Sequence, residues 1–309
     1  MENSISAGIW PTMLTPFTAG GKIDEKAVER LVNWYIDCGA AGIFAVCQSS
    51  EMFQLSLAER TALAEKTAEL SAGRVQVVAS GHISDDLPDQ IQELKALSKT
   101  GVDAVVLVSN RLAAQNEPDE VWIENCGRVL EAIPDAEFGV YECPYPYKRL
   151  LSEKVIRWCA RSGRIFFIKD TCCDAKRIAQ RLEWIKGTKL RLFNANAPTL
   201  LQTLRNGASG FCGILANICP KLLVWLFENY RTSPEKAELL QAYLTVLSWV
   251  ETQQYPSCAK YYLDSIGVPM ESVCRVNGRA PLRPYFRDEI DMLRLLNEKA
   301  ENFFLRNES

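Results

Sequence analysis

The chain has 309 residues, 48% hydrophobic and 24% charged, which is enough apolar material for one large globular domain or a domain with an appendage and too much for a disordered segment. Lys and Arg total 35 against 38 Asp and Glu, a net charge of -3, so there is no positive excess for nucleic acid or an anionic membrane. His82 is the only histidine, which excludes metal sites and relays built from several imidazoles.

In chain order, residues 10–14 form a first short apolar run with strand character. Asp24 then caps an amphipathic helix over 25–38, with Val28, Leu31, Val32, Tyr35 and Ile36 on one face and Gly39 at its end. A strand over 42–46 leads into the polar turn Cys47-Gln48-Ser49-Ser50-Glu51. The capping box Ser56-Leu57-Ala58-Glu59 opens the next helix, towards Ser71. Further strands are predicted at 75–79, 104–108, 138–141, 165–169, 190–194 and 210–214, with Gly73, Gly101 and Gly163 closing the intervening helices. Eight strands alternating with helices predict an α/β chain folded as a (β/α)8 TIM barrel over residues 1–219. The competing open, doubly wound sheet usually carries a G-x-G-x-x-G or Walker A loop, and neither occurs. From residue 220 onward, helical patterns at 221–230, 234–253, 258–266 and 288–304, with a loop at 275–284, predict a C-terminal helical appendage over 220–309 packed on the barrel.

Met1-Glu2-Asn3-Ser4 lacks the basic start and apolar core of a secretory leader, no run approaches the ~18 apolar residues of a membrane helix, and the 11 cysteines are odd in number without a C-x-x-C pair. The expectation is a cytoplasmic chain with reduced thiols.

In such a barrel the catalytic groups stand where strands end. Strand six closes on Lys169-Asp170 after four apolar residues, which sends an amine into the barrel mouth between low-dielectric walls that disfavour its charged form. An amine so placed can condense with a ketone to form a Schiff base. Taken alone, a strand-terminal lysine is more often paired with Asp170 or another carboxylate. Strand five brings Tyr141 to the same depth, where a phenol could shuttle protons, although a buried tyrosine is more often a core residue. The turn after strand two offers Gln48, Ser49 and Ser50 and their backbone N–H groups to a carboxylate.

Jointly these strand ends resemble the dihydrodipicolinate synthase / N-acetylneuraminate lyase family of pyruvate-dependent class I aldolases. Gly8-Ile9-Trp10-Pro11-Thr12-Met13-Leu14-Thr15-Pro16-Phe17 resembles the family's G-x-x-P-A-x-x-T-P-F opening, and Cys47-Gln48-Ser49-Ser50-Glu51 stands in place of G-T-T-G-E. Tyr141 matches the tyrosine of Y-N-x-P, and Lys169-Asp170 the lysine of G-x-K-D. The resemblance implies Schiff-base chemistry at Lys169 on pyruvate or another 2-oxo acid, Tyr141 as proton shuttle, Ser49 and Ser50 on the carboxylate with Gln48 and Cys212 beside them, no cofactor or metal, and a homo-oligomer, either tetramer or dimer.

The departures bear on the second substrate. Pro146 stands where synthases carry the arginine for the second carboxylate, and Ser109-Asn110-Arg111-Leu112 replaces their strand-four tyrosine pair. Gln48 replaces the relay threonine, and Ala195-Asn196 the acidic pair of sialic-acid lyases. The expected partner is therefore neither aspartate semialdehyde nor a sialic acid. A keto-deoxy sugar-acid dehydratase, or a catalytically weak relative that binds a 2-oxo acid as a sensor, are the alternatives. Arg111, Lys148 and Arg149 are a candidate patch for an anionic aldehyde, with solvated surface charge the commoner fate. Cys47, Cys143, Cys172, Cys173 and Cys212 fall near the mouth and are expected to be packing residues there, and His82 an ordinary loop residue.

Overall fold

The computed structural model describes residues 5–305, and the reading of Met1–Ser4 lies outside the described residues. Eight parallel strands, β1 (Gly8–Ile9), β2 (Gly42–Val46), β3 (Gln76–Ala79), β4 (Ala104–Val108), β5 (Phe138–Tyr141), β6 (Ile165–Asp170), β7 (Arg191–Asn194) and β8 (Gly210–Phe211), pair in the order β1-β8-β7-β6-β5-β4-β3-β2. The ring closes where Ala41 N–H donates to Ile9 O and Phe44 N–H to Pro11 O, each at 2.9 Å. The expected (β/α)8 barrel is the fold. Its first strand is shorter and earlier than the pattern at 10–14 suggests, because Pro11 has no N–H to donate and the chain beyond keeps only an isolated bridge, Thr12 to Phe44.

Helices α1 (Glu25–Asp37), α2 (Leu57–Ser71) and α3 (Leu87–Leu97) follow β1, β2 and β3. The short α4 (Ser109–Leu112) and α5 (Asp119–Ala132) follow β4, and α6 (Glu153–Arg161), α7 (Ala175–Ile185), α8 (Leu200–Arg205) and α9 (Pro220–Asn229) follow β5 to β8. The expected caps are in place: Asp24 Oδ1 accepts from Ala27 N–H at 3.1 Å, and Ser56 and Glu59 cap each other reciprocally. α9, the helix after β8, packs both on β1 of the barrel and on the helices that follow it in the C-terminal region. The addition proper is α10 (Pro234–Leu247), a 3-10 turn at Ser248–Thr252, α11 (Ser257–Ser265) and α12 (Pro284–Leu305). The pattern at 234–253 is thus an α-helix that tightens at its end, through Ser248, Trp249 and Val250, residues that favour the α-helix weakly. α12 starts at Pro284, which is tolerated in a first helical turn and reads as a loop from the sequence alone. No helix among the described residues is long and apolar enough to cross a membrane.

The barrel interior is floored with aromatic rings. Phe167 stacks on Phe193 with centroids 4.7 Å apart, and Trp10 and Phe44 meet Phe167 at 5.6 and 6.1 Å. Gly42 makes room for this floor, since a Cβ there would lie 2.3 Å from the Trp10 ring. Strand alternation carries residues two apart to one side, so Phe167 in the floor fixes Lys169 above it. The neighbours Glu142 and Asp170 point the other way, under the helices, and meet Arg181 of α7.

Arg181 is fully buried and binds both carboxylates: Nη2 lies 2.8 Å and Nη1 3.0 Å from the two oxygens of Glu142, and Nη1 also bonds Asp170. Glu142 accepts in addition from Leu151 N–H at 2.7 Å and Thr171 N–H at 3.0 Å. Removing one partner of such a cluster strands buried charge, at a cost of about 3–5 kcal/mol. Arg181→Met should therefore lower unfolding stability by about that amount in urea titrations. A loss under about 1 kcal/mol would mean that the cluster does not hold the strand ends.

His82 is likewise buried, and it clamps β3 to β4: Nε2 accepts from Val108 N–H at 2.5 Å and Nδ1 pairs with Gln90 Oε1 at 2.9 Å. A backbone N–H can only donate, so the ring is neutral with its proton on Nδ1. Burial lowers its pKa from 6.5 to about 4, the Gln90 hydrogen bond opposing. The folded value lies below the unfolded one, so the contribution to stability is full above pH ~6.5 and is lost as pH falls towards 4, on the order of 3 kcal/mol in all. In His82→Asn the stability profile should be flatter across that window, as urea midpoints at pH 7 and pH 5 will show.

Candidate active site

A cavity of about 270 Å³ opens at the strand C-terminal ends, lined by Lys169, Tyr141, Gln48, Ser49, Lys148 and Asn196 among others, and roofed by Glu251, Tyr255 and Val276 of the C-terminal region. Tyr141 and Lys169 are paired across β5 and β6, one directly opposite the other. Lys169 is 5% exposed, and its Nζ sits 4.3 Å from the Tyr141 ring centroid and 5.6 Å from that of Phe44. Asp170 is committed to Arg181, so the simple pairing of Lys169 with its sequence neighbour does not form. Among the described residues no carboxylate lies within ion-pair distance of the Lys169 ammonium.

Burial pushes the Tyr141 phenol well above its ordinary value, with the Cys143 and Cys47 thiols adding to the effect, so it is a neutral hydroxyl. Cys143 Sγ donates to Gln48 Oε1 at 3.5 Å, which joins the strand-five end to the turn after β2. In that turn, a single 3-10 turn at Gln48–Ser50, the two serines part ways. Ser49 lines the cavity and donates to Thr12 Oγ1 at 3.1 Å. Ser50 is fully buried and outside the lining; its hydroxyl is used within the loop, on Met13 O at 2.6 Å and Ala45 O at 2.8 Å. Cys212 is also buried behind the wall, where burial pushes its thiol up to about 12 while the nearby Lys169 charge opposes.

The three cations grouped in the sequence separate. Arg111 pairs with Asp85 at 2.7 Å. Arg149, 9% exposed, ties the β4 and β5 loops through Ala114 O at 2.6 Å and Glu117 O at 2.9 Å. Only Lys148 reaches the cavity, with Nζ on Thr171 O at 2.8 Å. Neither a patch for an anionic aldehyde nor a solvated cluster describes them, because loop carbonyls capture Lys148 and Arg149 and a carboxylate captures Arg111. All 11 cysteines are free; nine are buried, Cys172 is half-buried, and Cys173 is exposed on the cavity wall. Among the described residues no three His, Cys, Asp or Glu side chains are grouped to hold a metal ion.

The residues that sequence reasoning missed come from the roof. The Tyr255 hydroxyl accepts from Asn217 Nδ2 at 3.2 Å; burial holds it well above the usual phenol range, the Ser49 hydroxyl opposing. Glu51 adopts a left-handed conformation (φ 60°) and reaches away from the cavity to a buried ion pair with Lys260 of α11 at 2.9 Å, while also accepting from Val276 N–H at 2.8 Å. The turn after β2 and the roof are thus joined through one carboxylate. No local pattern marks these residues, because their role depends on a contact spanning some two hundred positions.

A model of the dihydrodipicolinate synthetase family matches residues 5–295. A 4-hydroxy-tetrahydrodipicolinate synthase of Anaplasma marginale (strain Florida) is 27% identical over 263 residues, 84% of this chain and 85% of that protein. Among solved structures, YagE, a prophage protein of the dihydrodipicolinic acid synthase family from E. coli K12 in complex with pyruvate, superposes with a TM-score of 0.85 at 21% identity, over 94% of this chain and 98% of its own. Ruminococcus gnavus sialic acid aldolase gives 0.86 at 16% identity, over 96% and 99%. At those identities the two structures speak for the fold, while the family model spans nearly the whole chain. The chain therefore belongs to the dihydrodipicolinate synthetase family and has its aldolase and lyase fold.

Proposed function

We propose that the protein is a Schiff-base-forming lyase or aldolase acting on pyruvate or a related 2-oxo acid, with Lys169 as nucleophile. The observation that carries this reading is a buried amine without a carboxylate partner, beside a buried phenol, in an open cavity. A lysine serving structure alone is rarely buried unless paired. The amine adds to the C2 carbonyl, and loss of one water gives the imine. Removal of a proton from C3 then gives an enamine, which adds to an aldehyde to make the C3–C4 bond; in the reverse direction the imine of the aldol breaks that bond to give the same enamine; hydrolysis returns the water and frees the amine. Tyr141 carries protons to and from these atoms. Ser49 and the N–H groups of its turn receive the carboxylate, Gln48 borders it, and Ser50 and Cys212 act from behind the wall.

Among the described residues no arginine lines the cavity, which supports a second substrate other than aspartate semialdehyde. We further propose a homo-oligomer, tetramer or dimer, acting in the cytoplasm. Leu239, Val246, Met292, Leu296 and Phe303 leave α10 and α12 with an apolar surface that a second copy would cover, and eleven unpaired thiols suit a reducing compartment. Sedimentation should give two or four chain masses; a species of 34.7 kDa alone would overturn the oligomer.

Pyruvate and borohydride should add to the intact mass one pyruvate less one oxygen, located at Lys169 by peptide mapping. His82→Asn should retain the adduct and Lys169→Ala should lose it. No adduct across a panel of 2-oxo acids, or one at Lys148, would overturn the assignment. Exchange of the pyruvate methyl protons in heavy water reads enamine formation directly, and Tyr141→Phe should slow it by about 10²–10⁴-fold. An adduct without exchange would favour the sensor.

A further inference from the structure

Lys169, Tyr141 and Ser49 account for the 2-oxo acid. The same cavity is lined by a carboxyl group with no role so far. Glu251 lies in the 3-10 turn Ser248–Thr252, lines the same cavity, and has no hydrogen-bond or ion-pair partner among the described residues. Asn196 accepts from Thr199 Oγ1 at 3.0 Å, which leaves its Nδ2 as the donor it can offer. Lys148 is held by Thr171 O, and Arg149 and Arg111 are spent on the β4 loop and on Asp85.

We infer that Glu251 is the acid–base group for the oxygen on C4 of the aldol substrate. This rests on the Schiff-base reading of Lys169. A free carboxylate repels an anionic tail, whereas a carboxyl beside an amide donor matches hydroxyl groups, which both donate and accept. In cleavage, ionised Glu251 takes the proton of the C4 hydroxyl; the C3–C4 bond breaks, its electron pair becomes the enamine, and C4 leaves as an aldehyde. In dehydration, the enamine forms first by loss of the C3 proton. The C4–O bond then breaks and protonated Glu251 supplies the proton that lets the oxygen leave as water.

The protonation state fits both directions near neutrality. Burial pushes Glu251 up to about 7, the Lys169 ammonium opposing. The other titratable or charged groups lining the cavity are Tyr141, Tyr255, Cys173, Lys148 and Lys169. Both phenols and the Cys173 thiol are raised above their ordinary values, so none of the three supplies an inflection near 7.

The test uses the full-length protein with six-carbon 2-oxo-3-deoxyaldonates as probes, reading pyruvate release and formation of the dehydrated product. Glu251→Gln should lower this turnover by about 10²–10⁴-fold with a smaller change in KM. The loss should exceed that in pyruvate methyl exchange by at least ~100-fold, because pyruvate has no C4 oxygen. The wild-type pH profile of kcat/KM should bend near 7, rising with pH for cleavage or falling for dehydration, and the bend should vanish in Glu251→Gln. Added acetate should restore part of the turnover of Glu251→Ala. Equal losses in both assays, a bend that survives, or wild-type protein that exchanges pyruvate protons yet turns over no hydroxylated 2-oxo acid would overturn the inference. A wild-type protein that forms no pyruvate adduct would instead overturn the Schiff-base reading beneath it.

Discussion

Arg181 is the fixed point on which the site depends. It holds Glu142 and Asp170, and each of these acids directly follows a residue of the candidate site, Tyr141 and Lys169. Strand alternation sends the acid outward and its neighbour inward, so one guanidinium beneath the helices sets the depth of both inward side chains. The same alternation, with Asp170 bound by Arg181, keeps that carboxylate away from Lys169. A buried ion cluster is weak evidence for net stability, since well-packed apolar residues often do as well. What apolar residues could not do is occupy Asp170 while leaving its neighbour without a counter-ion.

The barrel was legible because its signals are local and repeated. Alternation of apolar runs with amphipathic helices, the Asp24 cap and the Ser56–Glu59 box each depend on residues a few positions apart, and all of them appear in the structure. That Lys169 and Tyr141 would stand at the barrel mouth was legible for the same reason, since they close strands, and both line the cavity there. The misreadings share the opposite property. Arg149 looks like a surface charge until the carbonyls of another loop are beside it, and Ser50 looks identical to Ser49 until the turn rotates one hydroxyl inward and the other towards the cavity.

The roof shows that limit most clearly. Glu51 reads as the last letter of a polar turn, yet its carboxylate pairs with Lys260 and takes the Val276 N–H, and Arg275 reaches in the same region to Glu59 at 2.6 Å. The C-terminal segment is therefore fastened to the turn after β2 by buried or half-buried charge rather than by a hinge. Residues on the strands face a rigid, aromatic-packed interior, whereas Glu251 and Tyr255 stand on a turn between helices. Substitutions in that turn can reshape the far wall of the cavity without disturbing the strands that carry the amine.

The aromatic floor formed by Trp10, Phe44, Phe167 and Phe193 has a further consequence for traffic. Packed rings close the barrel below Lys169, so everything that reaches the amine enters and leaves by the mouth. In Schiff-base chemistry the water expelled on forming the imine must leave past the place where the second reactant will sit. On the proposed Schiff-base reading, that geometry imposes a sequence of events: the 2-oxo acid enters first, its water departs, and the aldehyde follows as a plug. In the reverse direction the aldehyde must vacate the opening before water can return to release the lysine.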